Sequence, residues 1–158
     1  MKHLIFTLLF LSSIAISAQK EYVKEFYPNG NIKQEGWVLK DLKTNHWKFY
    51  YENGNLKKQG NFVGNLETKY WYFYTQNLTK EKEGFYKSGK KTNWWLFYNS
   101  KGQIHYKCQL ENNKKNGYCL VYQNTKLIKA SKYEEGKKIK EWRDFYSFKR
   151  ENNLSDLR

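Results

Sequence analysis

Proline occurs once in this chain, at Pro28, cysteine twice, and arginine only at Arg143, Arg150 and Arg158. Each scarcity excludes something. Two cysteines cannot build a four-thiolate metal centre, and they do not form a Cys-x-x-Cys pair. His46 and His105, the only histidines beyond the first residues, lack the Glu-x-x-His spacing of a zinc site. No Gly-x-Ser-x-Gly elbow is present. Lys87-Ser88-Gly89-Lys90 contains Ser-Gly-Lys, but without a preceding glycine-rich loop it reads as a turn. Glu81 and Glu83 alternate with Lys80 and Lys82, which describes a solvated strand, not an acid–base pair. The chain is therefore expected to be non-catalytic and to need no cofactor or metal.

Long apolar runs are also missing, apart from Leu4 to Ile16 behind Lys2. That stretch is too short for a hydrocarbon core of about 30 Å. With Ile16-Ser17-Ala18 as a cleavage site before Gln19, it reads as an export signal over 1–18. The mature chain is then expected to be secreted, or periplasmic at the cell envelope, with no transmembrane segment. The formal net charge is +14, one less without Lys2. The excess is almost all lysine, and phosphate and base recognition relies on the arginine fork. Together with export, this argues against a nucleic-acid partner. A lysine-rich surface that keeps an aromatic chain in solution accounts for the charge.

What the chain has in quantity is aromatic residues, 19% of the total, placed periodically. Tyr50, Tyr74, Tyr98, Tyr122 and Tyr146 recur every 24 residues, with Tyr27 one residue off. They end the phrases Trp47-Lys48-Phe49-Tyr50, Trp71-Tyr72-Phe73-Tyr74 and Trp95-Leu96-Phe97-Tyr98. Weaker copies follow at Cys119 to Tyr122 and Arg143 to Tyr146. A fixed period of this size means stacked supersecondary units, none able to bury its apolar face alone. Alternation of period two and turn signals at Asn29-Gly30, Asn53-Gly54 and Lys101-Gly102 make each unit a β-hairpin. The expected fold is all-β: tandem antiparallel hairpins in one elongated meander sheet over 19–146, about five units. A polar tail at 147–158 lacks the pattern and is expected to fray.

Register follows from pairs 11 residues apart. Gly36, Gly60 and Gly84 precede Trp47, Trp71 and Trp95 at that distance, so each indole should lie across a strand on its glycine. Cys108 and Cys119 replace both members in the fourth unit. Directly opposed, they would fall within the Cα range of a disulfide, with two buried thiols filling one gap as the alternative. The same spacing sets Lys132 opposite Arg143 in a blurred, capping fifth unit. One face then carries Lys58, Gly60, Phe62, Trp71 and Phe73 and should be buried. The other carries Gln59, Asn61, Tyr70, Tyr72 and Tyr74.

That second face supplies the candidate binding residues: Tyr70, Tyr72, Tyr74, Trp94, Tyr98, Tyr118 and Tyr122, with Trp142 and Tyr146 extending the row. His46 is a surface member of the same row. Aromatic rings beside lysines suit protein partners, sugar rings and flat ligands, and they equally suit cross-strand packing with no ligand.

The phrase Trp-x-Phe-Tyr-x-x-Asn-Gly-x-Leu-x-x-x-Gly-x-Phe, spelled by Trp47 to Phe62, resembles the MORN repeat (membrane occupation and recognition nexus). It looks most like the bacterial variant found in proteins grouped as YwqK-type antitoxins. The likeness covers Glu21 to Tyr146. It implies an elongated antiparallel sheet of hairpins without catalytic residues. The family usually has a glycine two places before the tryptophan. Here Asn45, Lys69 and Asn93 stand there, and only the fourth unit keeps one, Gly117. The third unit also lacks the turn glycine, reading Gln76-Asn77-Leu78.

The resulting expectation is a secreted, non-catalytic repeat protein that acts as an interaction module with an unidentified protein partner. Three other forms stay open: an antitoxin-like inhibitor, a binder of envelope polysaccharide or anionic lipid headgroups, and a homodimer through the apolar sheet face. The last follows because one apolar layer must curl, pair or be covered.

Overall fold

A computed structural model describes residues 19–157; the expected export signal, 1–18, lies outside the described residues. Eleven strands form one antiparallel sheet in chain order. They are β1 (Glu21–Phe26), β2 (Ile32–Leu39), β3 (Leu42–Tyr50), β4 (Leu56–Val63), β5 (Leu66–Tyr74), β6 (Lys80–Lys87), β7 (Lys90–Tyr98), β8 (Ile104–Glu111), β9 (Lys114–Gln123), β10 (Lys126–Glu134) and β11 (Lys137–Trp142). A short helix, α1 (Phe145–Glu151), and one 3₁₀ turn, Leu154–Leu157, follow.

Two kinds of turn join the strands, alternating as far as β8. After β1, β3, β5 and β7 the chain reverses through one left-handed residue: Gly30 (φ 85°), Gly54 (84°), Leu78 (61°) and Gly102 (73°). The Gly54 N–H returns to Tyr51 O at 2.9 Å, and the Tyr51 N–H reaches Asn55 O at 2.8 Å. The other reversals use two residues, both at positive φ, as in Gly64-Asn65 (58° and 67°) and Asn112-Asn113 (49° and 70°). This is the twist-matched hairpin geometry, in which asparagine and glycine carry the least strain. Between β4 and β5 only Gly64 and Asn65 turn the chain, and β5 already begins at Leu66.

So tight a turn leaves a surplus, and a bulge absorbs it. β2 and β3 pair Trp37 with Thr44 but Gly36 with Trp47, so Asn45 and His46 are unmatched on that side. The same shift separates Thr68 from Tyr72, Thr92 from Trp95, and Lys115 from Cys119. At the heart of each bulge stands a left-handed residue: Asn45 (φ 56°), Lys69 (62°), Asn93 (59°) and Gly117 (99°). Those are the places where the resemblance leads one to expect glycine, and the backbone conformation is the reason.

The indole completes the device. Trp47 Nε1 donates to Trp37 O (2.9 Å) and Thr44 O (3.2 Å), carbonyls flanking the register shift. Trp71 does the same to Asn61 O (3.3 Å) and Thr68 O (3.2 Å), and Trp95 to Phe85 O (3.1 Å). Each ring lies so close over Gly36, Gly60 or Gly84 that any Cβ there would overlap it. Trp71 and Trp95 are fully buried, and Trp47 nearly so. Phe62, Phe49, Phe73 and Tyr86 pack around them on this tryptophan face.

Three expectations fail at the C-terminal end. Lys132 pairs with Lys140, not Arg143, and Trp142 pairs with Ala130. A register shift between Lys132 and Tyr133 displaces β11, and the sheet ends before Arg143. The tail does not fray either. The Asp144 carboxylate caps α1 by accepting the Ser147 N–H (2.8 Å), and Phe148 is buried at 0% exposure. Tyr146 leaves the aromatic row for the helix surface, 83% exposed.

Candidate functional site

The candidate residues lie on the tyrosine face, the side of the sheet opposite Trp71. One transverse row reads Lys48, Gln59, Tyr72, Glu83, Leu96, Lys107, Leu120, Ala130 and Trp142 in successive pairings. A neighbouring row holds His46 opposite Asn61, Tyr70 opposite Phe85, Trp94 opposite Gln109, and Tyr118 opposite Lys132. Tyr74, Tyr98 and Tyr122 stand at the strand ends on the far side. His46 belongs to the row, exposed, as its spacing suggests.

The periodic tyrosines have a repeated partner 15 residues back. The Tyr50 hydroxyl donates to Glu35 (2.6 Å), Tyr98 donates to Glu83, and Gln59 donates to the Tyr74 hydroxyl (3.4 Å). Glu83 is buried and also meets Lys80 at 2.9 Å. Burial first, then the hydrogen bond its hydroxyl donates to this carboxylate, raises the Tyr98 phenol above its ordinary range. Burial and the Glu83 charge push Tyr70 up to about 12. Both phenols stay protonated at neutral pH, which leaves Tyr98 the donor to Glu83. Tyr74 and Tyr98 thus tie adjoining strands together, while Tyr70 and Tyr72 present ring surface, 5.1 Å apart, with Tyr70 also 5.0 Å from Phe85.

The chain itself covers one end of this strip. Tyr118, Leu120, Ala130, Trp142 and Phe148 form a buried cluster, with Trp94, Tyr122 and Leu157 packed at its margin. The Tyr118 hydroxyl donates to Asn152 (2.7 Å), and Trp142 Nε1 donates to Glu151 (3.0 Å). Of the seven candidates, Tyr118 is therefore shut beneath α1 and Tyr122 partly so. Tyr70, Tyr72, Tyr74, Trp94 and Tyr98 remain half-exposed. A depression of about 450 Å³ opens among Tyr70, Phe85, Asn93, Trp94, Leu96 and Gln109. Lys107 lies over the Trp94 ring at 4.5 Å, and the buried indole N–H of Trp94 has no hydrogen-bond partner. Burying such a donor unpaired costs about 1–3 kcal/mol.

On the tryptophan face Cys108 and Cys119 are directly opposed and joined as a disulfide, with Cα atoms 4.0 Å apart. The Gln109 side chain takes over the bulge bonding there, accepting the Tyr118 N–H at 2.7 Å. Lysines roof the aromatic floor. Lys43 sits 4.3 Å from the Trp47 ring, Lys58 4.6 Å from Phe49, Lys82 5.1 Å from Phe73, and Lys91 4.6 Å from Trp95. Burial, and then neighbouring ammonium groups, lower the pKa values of Lys43 and Lys91. The apolar layer expected to curl, pair or be covered thus carries lysines of its own chain over its rings.

Among the described residues no group of three or more His, Cys, Asp or Glu side chains is arranged to hold a metal ion, and no helix is long and apolar enough to cross a membrane. Sequence reasoning missed Phe148, Glu151 and Asn152, which decide how much of the strip is open. The available signal was Asp144 three residues before Ser147, a helix start, with Phe148 as an inward anchor. Comparison with protein-family models returns no match, and comparison with curated proteins likewise returns none.

Proposed function

We propose that this chain is a non-catalytic binding module, exported to the cell envelope or beyond, whose partner is another protein met through the open part of the tyrosine face. One observation carries the reading. The strip from Tyr70 to Trp94 and Leu96 has the composition of an interface core, half-exposed aromatic rings with few charges, and its C-terminal continuation is already in use as a docking surface for α1. The likeness to MORN repeats fits this reading, since the hairpins supply a surface and no chemistry. An inhibitor of the antitoxin type would use the same surface to cover a partner's working face.

The test compares capture from an envelope fraction by the protein, by Tyr72→Glu on the tyrosine face, and by Lys58→Glu on the tryptophan face. A partner retained by wild type and Lys58→Glu but lost by Tyr72→Glu supports the reading. Equal retention by all three sinks it.

The ammonium row over the tryptophan face favours a second reading, an anionic polymer or headgroup laid across Lys43, Lys58, Lys82 and Lys91. Such binding would weaken steeply with salt and fail in Lys58→Glu.

A further inference from the structure

Docked α1 displays what the tyrosine face accepts. Phe148 enters between rings, edge-on at 5.6 Å from Tyr118 and 5.3 Å from Trp142. Three and four residues on, Glu151 and Asn152 accept from Trp142 Nε1 and the Tyr118 hydroxyl. Glu151 also pairs with Lys140 at 2.5 Å. The recognised pattern is one large apolar residue, then acceptors one helical turn later, facing a lysine.

One repeat towards the N-terminus the same parts recur without a helix over them, half-exposed. Trp94 holds the place of Tyr118, and Leu96 that of Leu120. Lys107 is opposite Leu96 as Ala130 is opposite Leu120, and it brings the positive charge that Lys140 supplies beside Trp142. The rings around the 450 Å³ depression stay partly exposed, with Trp94 packed at the margin of the α1 cluster. The Trp94 N–H, unlike the donors of Tyr118 and Trp142, has no acceptor.

We propose that this stretch, from Tyr70 across to Gln109, docks a short amphipathic helix of a partner protein. The helix carries a large apolar residue followed one turn later by a glutamate. It lies next along the strip from α1, its apolar residue against the half-exposed rings of Trp94 and Tyr70 and against Leu96, and its carboxylate on the Lys107 ammonium. Continuity with the α1 interface and the Lys107 ammonium select this occupant, since the Glu83 carboxylate beside Leu96 is already paired with Tyr98 and Lys80. A helix from a second copy is the weaker choice, because each copy's α1 is already buried on its own sheet. The proposal rests on the reading of the tyrosine face as a protein-binding surface.

The probe is a synthetic peptide copying residues 144–157, added to the full chain and followed by tryptophan fluorescence and by amide NMR. Expected is saturable binding that perturbs residues 70–109. Trp94→Ala should weaken it about tenfold or more, and Lys107→Glu by a similar factor, in keeping with a small aromatic hot spot. Lys58→Glu should leave it unchanged. A peptide with the Phe148 position changed to alanine, or with Glu151 changed to lysine, should fail. Circular dichroism of Trp94→Ala checks its fold, and Lys107→Glu tests the site if that variant unfolds. No saturable binding, equal binding to Trp94→Ala and Lys107→Glu, or perturbation confined to 118–157 as the peptide replaces α1 would each overturn the proposal. If the peptide fails while Tyr72→Glu still loses the captured partner, the helix-docking inference falls alone. If that capture is indifferent as well, the broader reading falls with it.

Discussion

Hairpins from β1 to β8 and the segment from β9 onward bury opposite faces of the same sheet. In the first region the core is the tryptophan face, where Trp47, Trp71 and Trp95 lie on glycines beneath lysines. In the second it is the tyrosine face, where Leu120, Ala130 and Trp142 lie beneath Phe148. The two central rows trade character along the sheet. On the tryptophan face the row runs through Gly84, Trp95, Cys108 and Cys119 and ends at Ser131 and Glu141. On the tyrosine face it starts at Lys48 and Gln59 and ends at Leu120, Ala130 and Trp142. The disulfide sits where the exchange begins. A hairpin repeat therefore fixes strand order without fixing which face is core. Whichever face receives large side chains and a cover becomes the interior.

The largest effect should come from breaking the first core. Trp71→Ala removes a fully buried indole together with the donor that serves the bulge carbonyls of Asn61 and Thr68. A loss of about 3–5 kcal/mol in chemical unfolding is expected. If Trp71→Ala melts like wild type, the ring does not hold β4 and β5 together as described.

Breaking the second core should be milder and local. Phe148→Ala should cost about 3 kcal/mol at most, since α1 can detach while the sheet remains. Hydrogen exchange should show lost protection in α1 and β11 and none in β3 to β8. Loss of protection throughout would mean that the two cores are one cooperative unit.

Acid probes the same boundary without mutation. Hydrogen bonds from Ser147 hold Asp144 below its ordinary pKa, and those from Lys140 and then Trp142 do so for Glu151. A carboxylate with a lowered folded pKa stabilises above its unfolded value, and that contribution is lost as pH falls through the folded one. Detachment of α1 should therefore begin below about pH 4, seen as exposure of Trp142 before the sheet melts. Simultaneous loss of both signals would contradict this order.

These contrasts also show what could be read from the chain. Hairpin order and the glycine–tryptophan register were legible because one 24-residue phrase repeats with its spacing intact. The register of β11 was not, because it depends on a shift at Lys132 that breaks the count. The bulge conformation was visible only as an oddity, a missing glycine at Asn45, Lys69 and Asn93. Of the candidate site, the face was legible from alternation. Its closure at Tyr118 was not, since a helix of seven residues with one buried phenylalanine leaves little periodicity to detect.

The smallest effect should be a gain, at the one turn where the first region departs from its own repeat. Gly30, Gly54 and Gly102 occupy the left-handed position without strain, but the β5–β6 turn places Leu78 there at φ 61°. A side chain with a Cβ in that conformation costs about 1–2 kcal/mol. Leu78 is 54% exposed, so removing its side chain sacrifices little burial. Glycine's greater freedom in the unfolded chain takes back part of the benefit. Leu78→Gly should therefore raise stability by about 1 kcal/mol, a few degrees in Tm for a chain of this size. Gly54→Ala, at the equivalent place one repeat earlier, should lower it by a similar amount. No Cβ clash confounds that comparison, because nothing lies within 4 Å of the site. If both substitutions destabilise, Leu78 packs usefully, and the third hairpin differs from its neighbours in more than its turn.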